Sequence, residues 1–171
     1  MANTYTLISS NVLSSSAASV TFSSIPATYT DLVLRYSSRT TSGGTSDAPE
    51  LTINGSSASN YSTTRLYGDG ISAASSRFSN FAYWYAFGTN GGASTSNTFG
   101  SNEIYIPSYT ASQNKPASHF GVFEENATGA GINALAYLYR NTAAISSLTL
   151  SFTYTSFDVG SSFYLYGIKN S

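Results

Sequence analysis

The chain contains no cysteine. Disulfides, thiolate nucleophiles and Cys-ligated zinc are excluded together, so packing and backbone pairing must hold whatever fold forms. Charge is scarce as well: Asp, Glu, Lys and Arg make up 9% of 171 residues, against about 25% in an ordinary soluble domain. The net charge is −1 and the isoelectric point about 5.6, which leaves no positive field to gather a nucleic-acid backbone. No run approaches the roughly 20 apolar residues of a bilayer-spanning helix. Met1-Ala2-Asn3-Thr4 also lacks the basic start and apolar stretch of an export signal. Neither a nucleic acid nor a membrane is expected as a partner.

Groups that do chemistry near neutral pH are equally few. There is one histidine, His119, and His is the side chain whose unperturbed pKa suits proton transfer there. It is expected at the surface or at a strand edge, since nothing nearby matches the Gly-x-Ser-x-Gly nucleophile elbow. Glu124 and Glu125 are the adjacent acid pair, but neighbours on a strand point to opposite faces and cannot converge on a glycosidic bond. Asp69, between Gly68 and Gly70, is one acid where a calcium loop needs several. No Gly-rich loop ends in Lys-Ser or Lys-Thr, so a phosphate cradle is not expected. The reading is a non-enzymatic protein with no cofactor and no metal.

What the chain does hold is aromatic area and hydroxyls. Aromatic residues reach 15%, with 14 Tyr and 10 Phe, enough apolar surface to offset the ordering entropy of a fold. A 171-residue chain fits one domain that can bury about 70% of its unfolded surface. The exterior must then be Ser, Thr, Asn and Tyr, which hydrate less strongly than ions and tolerate close contact with another protein.

Apolar residues alternate with polar ones in segment after segment, the mark of a strand with one face in the core. Leu148, Leu150, Phe152 and Tyr154 alternate with Ser147, Thr149, Ser151 and Thr153. Val20 with Phe22, Leu32 with Leu34 and Tyr36, Leu51 with Ile53, Ile104 with Ile106, Phe120 with Val122, and Phe163 with Leu165 read likewise. Asn133 to Arg140 has helix-forming Ala and Leu, yet Tyr137 and Tyr139 fit a strand buried on both sides. Asn54-Gly55 is the best hairpin signal, and two loop-rich zones run from Thr40 to Ala48 and from Gly88 to Asn102. The expected fold is all-β: a two-sheet antiparallel sandwich of about ten strands, jelly-roll-like. Residues 1–171 form one domain, with residues 1–6 as an extended N-terminal arm.

One cluster invites a functional reading. In Phe81-Ala82-Tyr83-Trp84-Tyr85-Ala86-Phe87 an extended backbone places four aromatics on one face and the single Trp, between alanines, on the other. Two readings follow. Either this is a central strand packed between the sheets and a covering loop, or Tyr83, Trp84 and Tyr85 contact a partner subunit or a sugar ring.

The opening, Thr4-Tyr5-Thr6-Leu7-Ile8-Ser9-Ser10 followed by Val20-Thr21-Phe22-Ser23-Ser24-Ile25-Pro26-Ala27-Thr28-Tyr29-Thr30-Asp31-Leu32-Val33-Leu34-Arg35, resembles a family of small proteins of tailed phages, especially those infecting cyanobacteria and other aquatic bacteria. The ending, Phe163-Tyr164-Leu165-Tyr166-Gly167-Ile168-Lys169-Asn170-Ser171, is similar to that family's usual finish, while the middle of the chain carries none of the likeness. The resemblance implies a virion surface component made in the host cytoplasm and commonly trimeric. It would be a jelly-roll decoration (cement) protein bound to the major capsid protein, or the head of a tail fibre or spike bound to a host receptor or glycan. The family-like block begins at residue four with no shaft, heptads or collagen-like repeat before it, which favours the decoration protein. The candidate docking residues are then Asn3 and Tyr5 at the chain start, with Tyr83, Trp84 and Tyr85.

Overall fold

Why these segments become strands is plain from their composition: hydroxyl, β-branched and aromatic residues fit a pleated, half-buried surface and have little use for a helix. A computed structural model describes residues 4–127 and 129–169; no helix occurs among them. In chain order the strands are β1 (Tyr5–Val12), β2 (Ser19–Phe22), β3 (Asp31–Ser38), β4 (Ser46–Asp47), β5 (Glu50–Ile53), β6 (Tyr61–Gly68), β7 (Ala73–Phe81), β8 (Trp84–Tyr85), β9 (Thr89–Asn90), β10 (Gly100–Ile106), β11 (Lys115–Glu124), β12 (Ala130–Tyr139), β13 (Leu148–Ser151) and β14 (Ser162–Ile168). Eight of them form one sheet in the order β1-β14-β3-β10-β11-β12-β6-β7, and four form a second in the order β2-β13-β5-β8. Neighbouring strands pair antiparallel throughout both sheets. The expected jelly-roll-like sandwich is what the chain forms, with fourteen strands among the described residues against the ten or so read from periodicity, three of them (β4, β8 and β9) only two residues long.

Leu32, Leu34 and Tyr36 of β3, Ile104 and Ile106 of β10, and Phe163 and Leu165 of β14 are buried against Val20, Phe22, Leu51, Ile53, Leu148 and Leu150 of the smaller sheet. A fully buried side chain of this kind is worth about 1.5–3 kcal/mol.

Elsewhere the phase or the context differs from the periodic reading. On β11 it is Ala117 and His119 that face the core, while Phe120 is half exposed. The register explains the inversion: His119 pairs with the buried Ile104 on one side and the buried Leu135 on the other. β12 buries Leu135, Tyr137 and Tyr139 but leaves Ala134 and Ala136 exposed, so it is covered on one face rather than two. β13 ends at Ser151, and Tyr154 stands wholly in solvent. Asn54 and Gly55 take positive φ values of 53° and 65°, and Ser56 N donates to Ile53 O at 3.0 Å. The turn carries the chain from β5 in the small sheet to β6 in the large one, a corner and not a hairpin. Of the residues expected in an extended N-terminal arm, Tyr5 and Thr6 are strand residues paired with Ile168 and Gly167, and residues 1–3 lie outside the described residues.

The two loop-rich zones pack on each other around a residue that no periodicity singles out. Arg39, buried at the end of β3, donates from Nη1 to Thr95 O at 2.9 Å and Thr98 O at 3.2 Å, and from Nη2 to Gly92 O at 2.9 Å and Ser94 O at 2.8 Å. Its Nε lies 3.8 Å from Asp158. Five planar donors let one guanidinium collect carbonyls that a loop would otherwise leave without partners. A second seam needs glycine. The Gly88 backbone, at φ 122°, crosses β10 and β11 where side chains at Gly100 and Gly121 would collide with the 87–88 carbonyls.

Candidate functional site

Alternation along the strands of the large sheet sends one set of side chains into the sandwich and the other onto its outer face. Cross-strand register lines the outer set up side by side: Tyr164, Arg35, Glu103, Phe120, Ala134 and Leu66 form one row across six strands. Val122 and Ile132 are paired in the next row. Tyr5, Leu7 and Val12 reach the same face from β1 through their pairing with Ile168, Tyr166 and Ser162.

This face is unusually apolar for a surface. Nine large apolar side chains are exposed among the described residues, and six of them lie here: Tyr5 (46%), Leu7 (51%), Val12 (60%), Leu66 (60%), Phe120 (52%) and Ile132 (52%). A groove of about 540 Å³ runs over Ser118, Ala134 and Ala136, walled by Tyr105, Phe120 and Leu66. The face's charge is largely self-cancelling. Arg35 Nε donates to Glu103 Oε2 at 2.7 Å, and the guanidinium lies 5.4 Å from the Tyr5 ring and 6.0 Å from the Tyr166 ring. The hydrogen bond to the carboxylate raises the Arg35 pKa above its usual value, and the opposite charges of the pair offset each other on this face.

A second surface lies where β7 leaves one sheet and β8 joins the other. β7 ends at Phe81 and β8 is two residues long, each the edge strand of its sheet. The segment is therefore a crossover between edges and not the central strand that its greasiness suggested. Trp84 is fully buried. Its ring stacks on Tyr137 at 4.6 Å, meets Tyr61 edge-on at 5.8 Å, and its Nε1 donates to Leu138 O at 3.2 Å. It is a core residue and offers no open ring. Tyr83 and Tyr85 are half buried, with rings 5.0 Å apart and a 3.1 Å hydrogen bond from Tyr83 Oη to Tyr85 Oη. Phe81, Phe78 and Phe87 continue the contact series at 5.7, 5.3 and 5.6 Å from Tyr85. Five half-buried rings thus line one edge of the sandwich. Asn3 lies outside the described residues.

His119 sits in the interior and not at a strand edge. Its Nδ1 is 2.8 Å from Tyr137 Oη, and its Nε2 is 3.1 Å from Asn102 Oδ1. Tyr137 Oη in turn donates to Tyr85 O at 2.6 Å, and Asn102 Nδ2 donates to Gly88 O at 2.9 Å. Only the doubly protonated ring would satisfy every link, but burial outweighs this and pushes its pKa down to about 3. The relay holds the 85–88 crossover against β11 and β12.

The acids are engaged singly. Glu125 is buried and accepts from Thr95 N, whereas exposed Glu124 accepts from the amides of Glu125 and Asn126. Asp69 is tied to its own turn by the Ile71 and Ser72 amides, which lower its pKa. No cluster of three or more metal-ligating side chains occurs among the described residues.

No protein-family model matches the chain, and no curated protein matches it in sequence.

Proposed function

We propose that this chain is a non-enzymatic virion surface protein, a capsid decoration subunit of a tailed phage that bridges capsomers by contact with copies of itself and with the major capsid protein. One observation carries the reading: six of the nine large apolar side chains exposed among the described residues gather on the outer face of the eight-stranded sheet. They stand in two groups on either side of the Arg35–Glu103 pair, and a gathering of exposed apolar side chains on one face supports an interaction surface there. A face with little net charge accepts a copy of itself without repulsion, and many weak contacts on a repeating lattice add through effective concentration. The phage-family resemblance of both chain ends points the same way, and that family's habit favours a homotrimer.

The test counts copies of the chain in purified particles by quantitative mass spectrometry and locates them by electron microscopy. A number matching the capsid lattice is expected. A handful of copies at the tail would sink the proposal. A companion variant, Leu66→Ser with Phe120→Ser and Ile132→Ser, should fold but fail to join particles.

A second reading, a tail-tip module that binds a host glycan, draws on the half-buried rings of Phe78, Phe81, Tyr83, Tyr85 and Phe87. Rigid aromatic faces at a surface are the usual platform for a flat, partly apolar ligand such as a sugar.

A further inference from the structure

Arg65 occupies an unusual place for an arginine. Alternation along β6 puts Thr63, Arg65 and Tyr67 on the inner face of the large sheet, opposite Leu66. Four facing strands cannot cover eight, and Arg65 and Tyr67 remain half buried where cover runs out. Its guanidinium carbon lies 4.0 Å from the centre of the Tyr67 ring and 3.8 Å from that of Phe87, and its Nε donates to Asn133 Oδ1 at 2.7 Å. Asn133 is itself fully buried and fixed by a bond to Gly121 O. The fork is therefore held in position by two rings and an amide.

No carboxylate among the described residues pairs with it. The ion pairs among the described residues are Arg35 with Glu103 and Arg39 with Asp158. Neither Nη of Arg65 has a hydrogen-bond partner among the described residues, and neither is sealed from solvent. Partial burial lowers the pKa of the group, the sign of a cation stripped of some water without a counter-charge in return. Beside it opens a hollow of about 290 Å³ that is also lined by Thr45, Ser46 and Asp69. Asp69 is already occupied by its own turn.

Phe87 joins this cation to the ring series of the second surface, since it also contacts Phe78 at 6.3 Å and Tyr85 at 5.6 Å. We propose that Arg65 and this ring series form one binding site for a carboxylated glycan. The two Nη groups would take the carboxylate of a uronic-acid unit in a bidentate fork, and the rings would take neighbouring sugar faces. The proposal rests on the glycan-binding reading and deepens it by naming the charge of the ligand. An acidic peptide could offer the same carboxylate, but a row of half-buried rings suits sugar faces better than a charged, flexible backbone.

Titration calorimetry of the intact chain with tetragalacturonate, its methyl ester and a hexaglutamate peptide tests it. Tetragalacturonate should bind at least about tenfold more tightly than the ester, because a charge-assisted bidentate contact is lost with the charge. Arg65→Gln should remove that preference, and Arg65→Lys should keep only part of it. Equal binding of acid and ester would overturn the role of Arg65 while leaving the glycan reading intact. Preference for the peptide would overturn the sugar assignment, and silence from all three ligands would overturn both the inference and the reading beneath it. Should Arg65→Gln fail to fold, the comparison of acid with ester on the unaltered protein still decides.

Discussion

Where the eight-stranded sheet faces the smaller one it buries His119, Asn102 and Asn133 among aromatic rings, and where it faces solvent it displays Phe120, Ile132 and Leu66. The inner polar groups are hydrogen-bonded to one another or to backbone carbonyls, which is the condition under which a core tolerates them. The outer apolar groups have no such cover, and their exposure is a cost that a second surface can relieve. The contrast teaches that polarity by itself does not mark which side of a strand is inside. One face is closed by its own bonds, and the other is open to solvent.

If the inner face alone holds the fold, Trp84→Ala should cost most. Removal of a buried indole from its stack on Tyr137 and Tyr61 is expected to destabilise by about 3–5 kcal/mol in denaturant titration, with no direct effect on a ligand. A loss under 1 kcal/mol would show that the crossover is loosely packed.

Acid should strain the same face. His119 has a folded-state pKa near 3 against about 6.5 unfolded, so between these values the unfolded chain binds the extra proton. This contribution to stability is complete above pH 6.5 and is lost as pH falls toward 3, by roughly 5 kcal/mol in all. His119→Asn should flatten that part of the stability profile. A pH-independent midpoint in the unaltered protein would place the charged ring in the native relay.

The outer face should behave oppositely. Phe120→Ser removes a half-exposed ring, so stability should shift by about 0.5 kcal/mol or less, while sedimentation should show weaker self-association. If the melting midpoint drops sharply instead, Phe120 belongs to the fold rather than to an interface. Arg35→Ala is expected to do least. Its pair with Glu103 is about half exposed on both sides and such bridges contribute about 0–1 kcal/mol, so a change beyond that in thermal melting would mean that the Tyr5 and Tyr166 contacts matter more than the ion pair.

Composition and period were enough for the class of fold. Scarce helix formers, alternating hydroxyl and apolar residues, and glycine punctuation lead to an all-β sandwich because period two leaves a strand as the only element that can bury one face. The core positions of β2, β3, β5, β10, β13 and β14 follow from the same alternation. Burial of Trp84 is one of the two readings the sequence allows for its aromatic run, but the sequence does not choose between them, because an alternating aromatic run looks the same at an edge as at a centre.

Only the tertiary structure decided which side of β11 turns inward, since both of its faces carry apolar residues and pairing with Ile104 and Leu135 breaks the tie. It alone united Arg39 with the loop carbonyls at 92–98 and Arg65 with Asn133 and Phe87, partners separated by tens of residues. Side-chain alternation is a local property that the chain carries along its length. The burial of a charge depends on what non-local strands bring to it, and no window of sequence contains that.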